Sequence, residues 1–184
     1  MYKILIIGPS WVGDTMLMQP MLMRLKQRRP DSLIDVLAPP WTEGLLLAMP
    51  GVNEVIFNPF PHGELQLHAR YRLGKYLRDN RYDQAIVLPN SLKSALVPFF
   101  AGIPLRTGFV GEMRYGLLND ARSLDKARLP LMVERFAQLA EAPGMAVPKP
   151  ISHPKIRSTA TDQEQTLAAL GRARPTRFVA FCPG

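Results

Sequence analysis

A chain of 184 residues, 47% of them hydrophobic, can bury the core of one ordinary domain, with room for the first elements of a second. Its single cysteine, Cys182, excludes an internal disulfide. No apolar run reaches the ~18–20 residues of a membrane span or the ~7–15 of a secretory h-region, so the expectation is a soluble, cytoplasmic protein. A formal net charge of +8, from 23 Lys and Arg against 15 Asp and Glu, favours an anionic partner such as nucleic acid, a membrane surface or a phosphorylated small molecule, unless the charge serves solubility alone.

Strand-like and helical runs alternate. "KILIIG" (3–8) reads as a buried strand and 14–28 as a helix, followed by a strand "LIDVLAP" (33–39) and a short helix around 42–48. "VNEVIFN" (52–58) and "DQAIVLP" (83–89) are further strands, separated by a helix over 65–79. A helix over 92–101, a short strand "LRTGFV" (105–110) and a helix over 130–141 follow. Nearly apolar strands alternating with helices predict an α/β fold: a Rossmann-like parallel sheet with helices on both faces. In such a sheet, ligands bind at the carboxyl ends of the strands. Four prolines fall in "PGMAVPKPISHP" (143–154), which reads as an extended linker. The reading therefore divides the chain into a domain over 1–145, a Pro-rich linker over 146–160 and the start of a second domain over 161–184. That last part holds a polar helix (160–173) and a strand "RFVAFCPG" (177–184).

Several places carry candidate chemistry. "GPSWVGDT" (8–15) nearly spells the phosphate loop G-x-x-x-x-G-K-[ST], but Asp14 stands where the lysine would meet phosphate. Asp14 is then either a first-turn carboxylate matched to a helix N-terminus or a base held over the crevice after the first strand, with Ser10, Trp11 and Gly13 beside it. On a helical projection of 65–79, Arg70, Lys75, Arg78 and Arg81 fall in one arc opposite Leu65, Ala69, Leu73, Tyr76 and Leu77, and Arg72 adds to the basic count. This is a basic face for anions or merely a solvated one. "LPNSLKSA" (88–95) places Asn90, Ser91 and Lys93 at a strand end and helix start, able to receive an anion or serve as a plain cap. "RTGFVGEMRYGLLND" (106–120), with Arg106, Glu112 and Arg114, reads as a functional loop. The scattered histidines give no metal-ligand spacing, G-x-S-x-G and G-x-G-x-x-G are lacking, and nucleic-acid binding would rest on charge alone, so nucleic acid is not the expected partner.

Four segments in order, "ILIIGPSWVGDTMLMQP", "LPNSLKSALVPFFAGIPLRTGF", "GEMRYGLLND" and "PLMVERF", with "FCPG" at the end, closely resemble the ADP-heptose–lipopolysaccharide heptosyltransferases of glycosyltransferase family 9. "PNSLKSALVPFFAGIP" is similar to the type II branch, while the type I branch shares the "VGD" plan and stays an alternative. The resemblance implies a GT-B enzyme of two Rossmann-like domains. The amino-terminal one, present here, would bind a phosphorylated heptosyl-Kdo2-lipid A acceptor, and the truncated carboxy-terminal one would bind ADP-heptose. It implies inverting heptosyl transfer in inner-core biosynthesis, with Asp14 as general base, no metal or other cofactor, and peripheral attachment to the inner face of the inner membrane. The acceptor would meet Ser10, Trp11, Gly13, Arg70, Arg72, Lys75, Asn90, Ser91, Lys93, Arg106, Glu112 and Arg114. By this reading the fragment alone is inactive or nearly so. A non-catalytic module that binds anions or lipopolysaccharide precursors is the rival.

Overall fold

A computed structural model describes residues 1–61, 63–156, 158–174, 177, 179 and 181. Apolar runs supply the strands: β1 (Lys3–Ile7), β2 (Leu33–Ala38), β3 (Glu54–Phe57), β4 (Gln84–Val87) and β5 (Leu105–Phe109), with β6 (Asp120–Arg122) at one edge. They form one sheet in the order β3-β2-β1-β4-β5-β6, and every neighbouring pair is parallel. The order reverses between β1 and β4, where Ile4 aligns with both Ile34 and Gln84. This Rossmann-like order opens a crevice at the carboxyl ends of those two strands.

Alternate side chains of each central strand point to opposite faces, and both faces are covered. Ile4, Ile6, Ile34, Val36 and Ile86 pack under α1 (Val12–Leu17), α2 (Gln19–Arg28), α3 (Glu43–Leu47) and α6 (Met132–Gln138), which contribute Met21, Leu22, Leu46 and Phe136. Leu5, Ile7, Ala85 and Val87 pack on the other face under α4 (Leu67–Leu77) and α5 (Leu96–Phe100), against Leu77 and Val97. Each buried Ile or Leu stabilises the fold by roughly 1.5–3 kcal/mol relative to exposure, which makes these strands the rigid base of the crevice. The polar Asp35 in β2 is buried but satisfied: Tyr82 Oη donates to it at 2.7 Å and Asn53 Nδ2 at 2.7 Å.

The structure revises several expected elements. The helix expected over 14–28 is two, because Pro20 lacks an N–H and its ring crowds the preceding turn; α1 ends at Leu17 and α2 restarts at Gln19. The helix expected over 92–101 opens with a 3₁₀ turn, Leu92–Ala95, before α5. Strand β6 had no apolar signature in the sequence; its edge position tolerates Asp120 and Arg122, which pair at 2.6 Å. The basic arc of 65–79 is also corrected. The buried stripe of α4 is Arg70, Gly74 and Leu77, an i, i+4, i+7 set, so Arg70 faces inward while Arg72 and Lys75 stay exposed. Gly74 is required there, since a Cβ would lie 2.6 Å from Phe100 Cβ and 2.9 Å from the Val97 carbonyl oxygen.

Between α6 and α7 (Ala160–Ala169) the Pro-rich stretch has no helix or strand among the described residues, but it is pinned to the sheet domain. Val147 N donates to Gln138 Oε1 at 2.9 Å, Lys149 pairs with Glu134 at 2.6 Å, and the buried Gln19 side-chain amide bonds both backbone groups of Lys155. The strand expected over 177–184 lies mostly outside the described residues.

Candidate functional site

The loop from β1 to α1, residues 8–11, and the loop after β4 meet above the switch between β1 and β4. Gly8 keeps the first loop against β2: its N–H donates to Leu37 O at 2.9 Å, and a Cβ would press on Val36 Cγ1 at 3.2 Å. The Trp41 indole N–H donates to Ser10 O at 2.8 Å and holds the loop from outside. Asp14 stands in the first turn of α1, where the helix dipole favours a negative charge. Its half-buried carboxylate enters no ion pair among the described residues. A cavity of about 350 Å³ brings Asp14 together with Ser10, Trp11 and Asn90, four of the residues singled out in the sequence.

The others are placed differently. Gly13 is exposed, a Cβ on it would meet open space, and it does not line the cavity. Arg114 is 1% exposed: Nε and Nη2 donate to Phe109 O at 3.1 and 2.6 Å, and Nη1 donates to Pro89 O at 2.5 Å and Ser94 Oγ at 3.0 Å. Burial brings its pKa down to about 10, with the Glu112 carboxylate acting in the opposite direction. Arg70 donates to Leu65 O at 2.6 Å and Lys93 O at 3.2 Å and lies over the Phe60 ring, 4.0 Å from its centroid. Arg106, near the amino end of β5, donates to Leu117 O and Ile103 O, both at 2.6 Å. Burial lowers the pKa of both arginines. These three guanidiniums hold the fold's own carbonyls, and none of them lines the crevice, where the sequence had set them against an acceptor.

The helix start at Ser91 and Lys93 is likewise engaged internally. Glu112 Oε2 accepts the Leu92 N–H at 2.7 Å, so a carboxylate of the same chain sits where an outside anion was expected. Glu112 reaches it from a left-handed backbone, φ 44, and Gly111 allows the approach because a Cβ there would lie 2.7 Å from Asn90 O. Arg72 and Lys75 are exposed on α4, outside the cavity.

The sequence reading missed other residues that line the crevice: Lys126, Met132, Arg135 and Phe136. Lys126 lies in a polar segment without periodicity, and only the sheet topology carries it back above β1 and β4. The motif "PLMVERF" (130–136) contained Arg135 but no sign of its target. A larger cavity of about 780 Å³ lies behind Phe109, beside β6 and residues 143–149. Of its charged side chains, Arg122 pairs with Asp120 and Lys149 with Glu134 outside the lining, and none of the expected site residues lines it. Among the described residues no group of three or more His, Cys, Asp or Glu could hold a metal ion.

Known proteins share this sequence and fold. The family model for glycosyltransferase family 9 (heptosyltransferase) matches residues 70–184. Lipopolysaccharide heptosyltransferase 2 of Escherichia coli (strain K12) is 50% identical over 187 residues, 99% of this chain and 54% of the relative. Lipooligosaccharide heptosyltransferase 2 of Haemophilus ducreyi (strain 35000HP / ATCC 700724) is 48% identical over 191 residues, again 99% and 54%. The chain thus spans about half the length of the curated relatives it matches. Among solved structures, the E. coli ADP-heptose lps heptosyltransferase II superposes with a TM-score of 0.86 at 48% identity, covering 93% of this chain and 51% of that one. With the family model matched over more than half of its residues, the chain belongs to glycosyltransferase family 9, the heptosyltransferases.

Proposed function

We propose that the chain supplies the acceptor half and general base of an inverting transferase that moves L-glycero-D-manno-heptose from ADP-heptose to a phosphorylated heptosyl-Kdo2-lipid A acceptor in inner-core lipopolysaccharide synthesis. The names of its half-length matches support the donor and the pathway. The observation that carries the role of this half is Asp14: a half-buried carboxylate without an ion-pair partner among the described residues, lining a cavity at the strand ends with Ser10 and Asn90. In the reaction, the acceptor hydroxyl oxygen attacks the anomeric carbon and Asp14 takes the hydroxyl proton. The bond from that carbon to the ADP oxygen breaks, and ADP leaves with the electron pair on the face opposite the attack. In this reading Ser10 and Asn90, which line the same cavity, orient the sugar. The reading needs no resident cofactor, since ADP-heptose is a substrate. In it, residues 1–145 form the acceptor domain, 146–160 the connection, and 161–184 the start of the donor domain.

The test uses the whole reading frame that encodes this chain. Asp14→Ala and Asp14→Asn should each lower kcat for heptosyl transfer by about 10²–10⁴-fold, with little change in the donor KM. Transfer that stays within about fivefold of the parent would show that another group takes the proton.

A further inference from the structure

The cavity that Asp14 lines also carries two cations, Lys126 and Arg135. Lys126 is exposed and enters no ion pair among the described residues. It rides a turn fixed by Asp125, whose Oδ1 accepts the Ala127 N–H at 2.9 Å and the Arg128 N–H at 3.1 Å. Arg135 is half-buried, and two backbone carbonyls set its plane: Nε donates to Leu129 O at 2.9 Å and Nη2 to Pro130 O at 2.9 Å. Its Nη1 hydrogens have no acceptor among the described residues, which leaves part of the fork available. A guanidinium fixed in direction and an exposed ammonium lining the same cavity are a combination suited to an oxyanion. Asp14 alone would repel an anionic acceptor from this cavity. Two positive charges against one negative reverse that balance.

We infer that Lys126 and Arg135 seat an anionic substituent of the acceptor, a phosphate monoester or a sugar carboxylate, and thereby turn its reacting hydroxyl towards Asp14. This rests on the acceptor reading proposed above. It puts in place of the arginines expected from the sequence one residue outside every motif, Lys126, and one, Arg135, that lies within "PLMVERF" (130–136). Arg135 also ties the 129–130 backbone, so its replacement risks the fold, and Lys126 is the cleaner probe.

In the whole reading frame, Lys126→Ala should raise the acceptor KM about tenfold, the size of a charge-assisted hydrogen bond at a partly open site, and far more than it changes kcat or the donor KM. Lys126→Glu should raise it further, and Lys126→Arg should restore most of the loss. With acceptor stripped of phosphate by a phosphatase, the difference between parent and Lys126→Ala disappears if the seated group is phosphate and persists if it is the carboxylate. An acceptor KM unchanged by Lys126→Ala and Lys126→Glu on both acceptors overturns the inference. A second readout does not depend on turnover. Trp11 lines the same cavity, so titration with inorganic phosphate should change its fluorescence saturably, with Trp11→Phe as the blank. Lys126→Ala should weaken that binding about tenfold. A parent protein that shows this response yet transfers no heptose would sink the proposed reaction and leave the anion seat standing. A Trp11 response indifferent to Lys126→Glu would sink the seat.

Discussion

Arg114 is the side chain on which the crevice rim depends. Its guanidinium spans the carboxyl ends of β4 and β5, bonding Phe109 O, Pro89 O and Ser94 Oγ, and its Nη2 also approaches Asn90 Oδ1 at 3.4 Å. Removing it strands several buried carbonyl oxygens, each worth about 1–3 kcal/mol of lost solvation. Arg114→Met should therefore lower stability by about 3 kcal/mol or more, read as a fall in the urea midpoint at unchanged m value. Arg114→Lys should recover only part of this, because an ammonium cannot reproduce the planar fork. A midpoint unmoved by Arg114→Met would refute the clamp. Sequence reasoning took this arginine for a substrate contact because a loop rich in glycine, arginine and aromatics looks functional. Nothing in a sequence says whether arginine donors meet a ligand or a neighbouring carbonyl. Asp14, Ser10 and Asn90 were legible for a different reason: they follow apolar strands, and the ends of such strands are where a parallel sheet exposes side chains.

Helix α6 illustrates how an element is held in place by charge at one end. Glu134, its third residue, is buried and accepts the Leu131 N–H at 3.1 Å while pairing with Lys149 at 2.6 Å. The bond from Lys149, then that from Leu131, hold its carboxyl below the usual value of 4.5. A depressed carboxylate stabilises the fold fully above its unfolded pKa and loses that contribution as pH falls through the lower folded value. Stability should thus decline as pH drops below about 4.5, and Glu134→Gln should flatten that part of the profile. Thermal melts from pH 6 to about 3 check it; parallel profiles for parent and variant would refute it. Because α6 also carries Arg135 and Phe136 into the crevice, loosening this anchor disturbs the site from behind. Helices and central strands were readable where period and apolarity agreed. Two departures have local causes: Pro20 splitting the first helix, and the polar β6 at the sheet edge. The inward Arg70 was misread because the projection grouped residues by charge and passed over Gly74, whose missing side chain lets α4 settle onto α5.

At the scale of the molecule, the charge of +8 is unevenly useful. The outer side of α4 and the residues before it expose Leu65, Leu67, Tyr71 and Tyr76 together with Arg72, Lys75 and Arg78, and no acid lies from 65 to 78. Aromatic and aliphatic groups among cations match the boundary of an anionic bilayer. If the acceptor is built on lipid A as proposed, this face should hold the protein at the membrane surface. Among the described residues no helix is long and apolar enough to cross one. The whole protein should co-sediment with phosphatidylglycerol-containing vesicles, be released by salt, and lose about tenfold or more in affinity in Arg72→Glu with Lys75→Glu, given ~1 kcal/mol per basic residue near the surface. Equal binding to neutral vesicles would point to another attachment. At the helix start after β4, the Glu112 carboxylate already accepts the Leu92 N–H. On the reading proposed here, the enzyme handles two polyanionic substrates that must not exchange places. The helix start beside β4 is already stoppered by a residue of its own loop, so a stray nucleotide phosphate finds no vacancy there. On that reading, the fold keeps its two substrates apart partly by occupying, with its own carboxylate, a seat that either could have used.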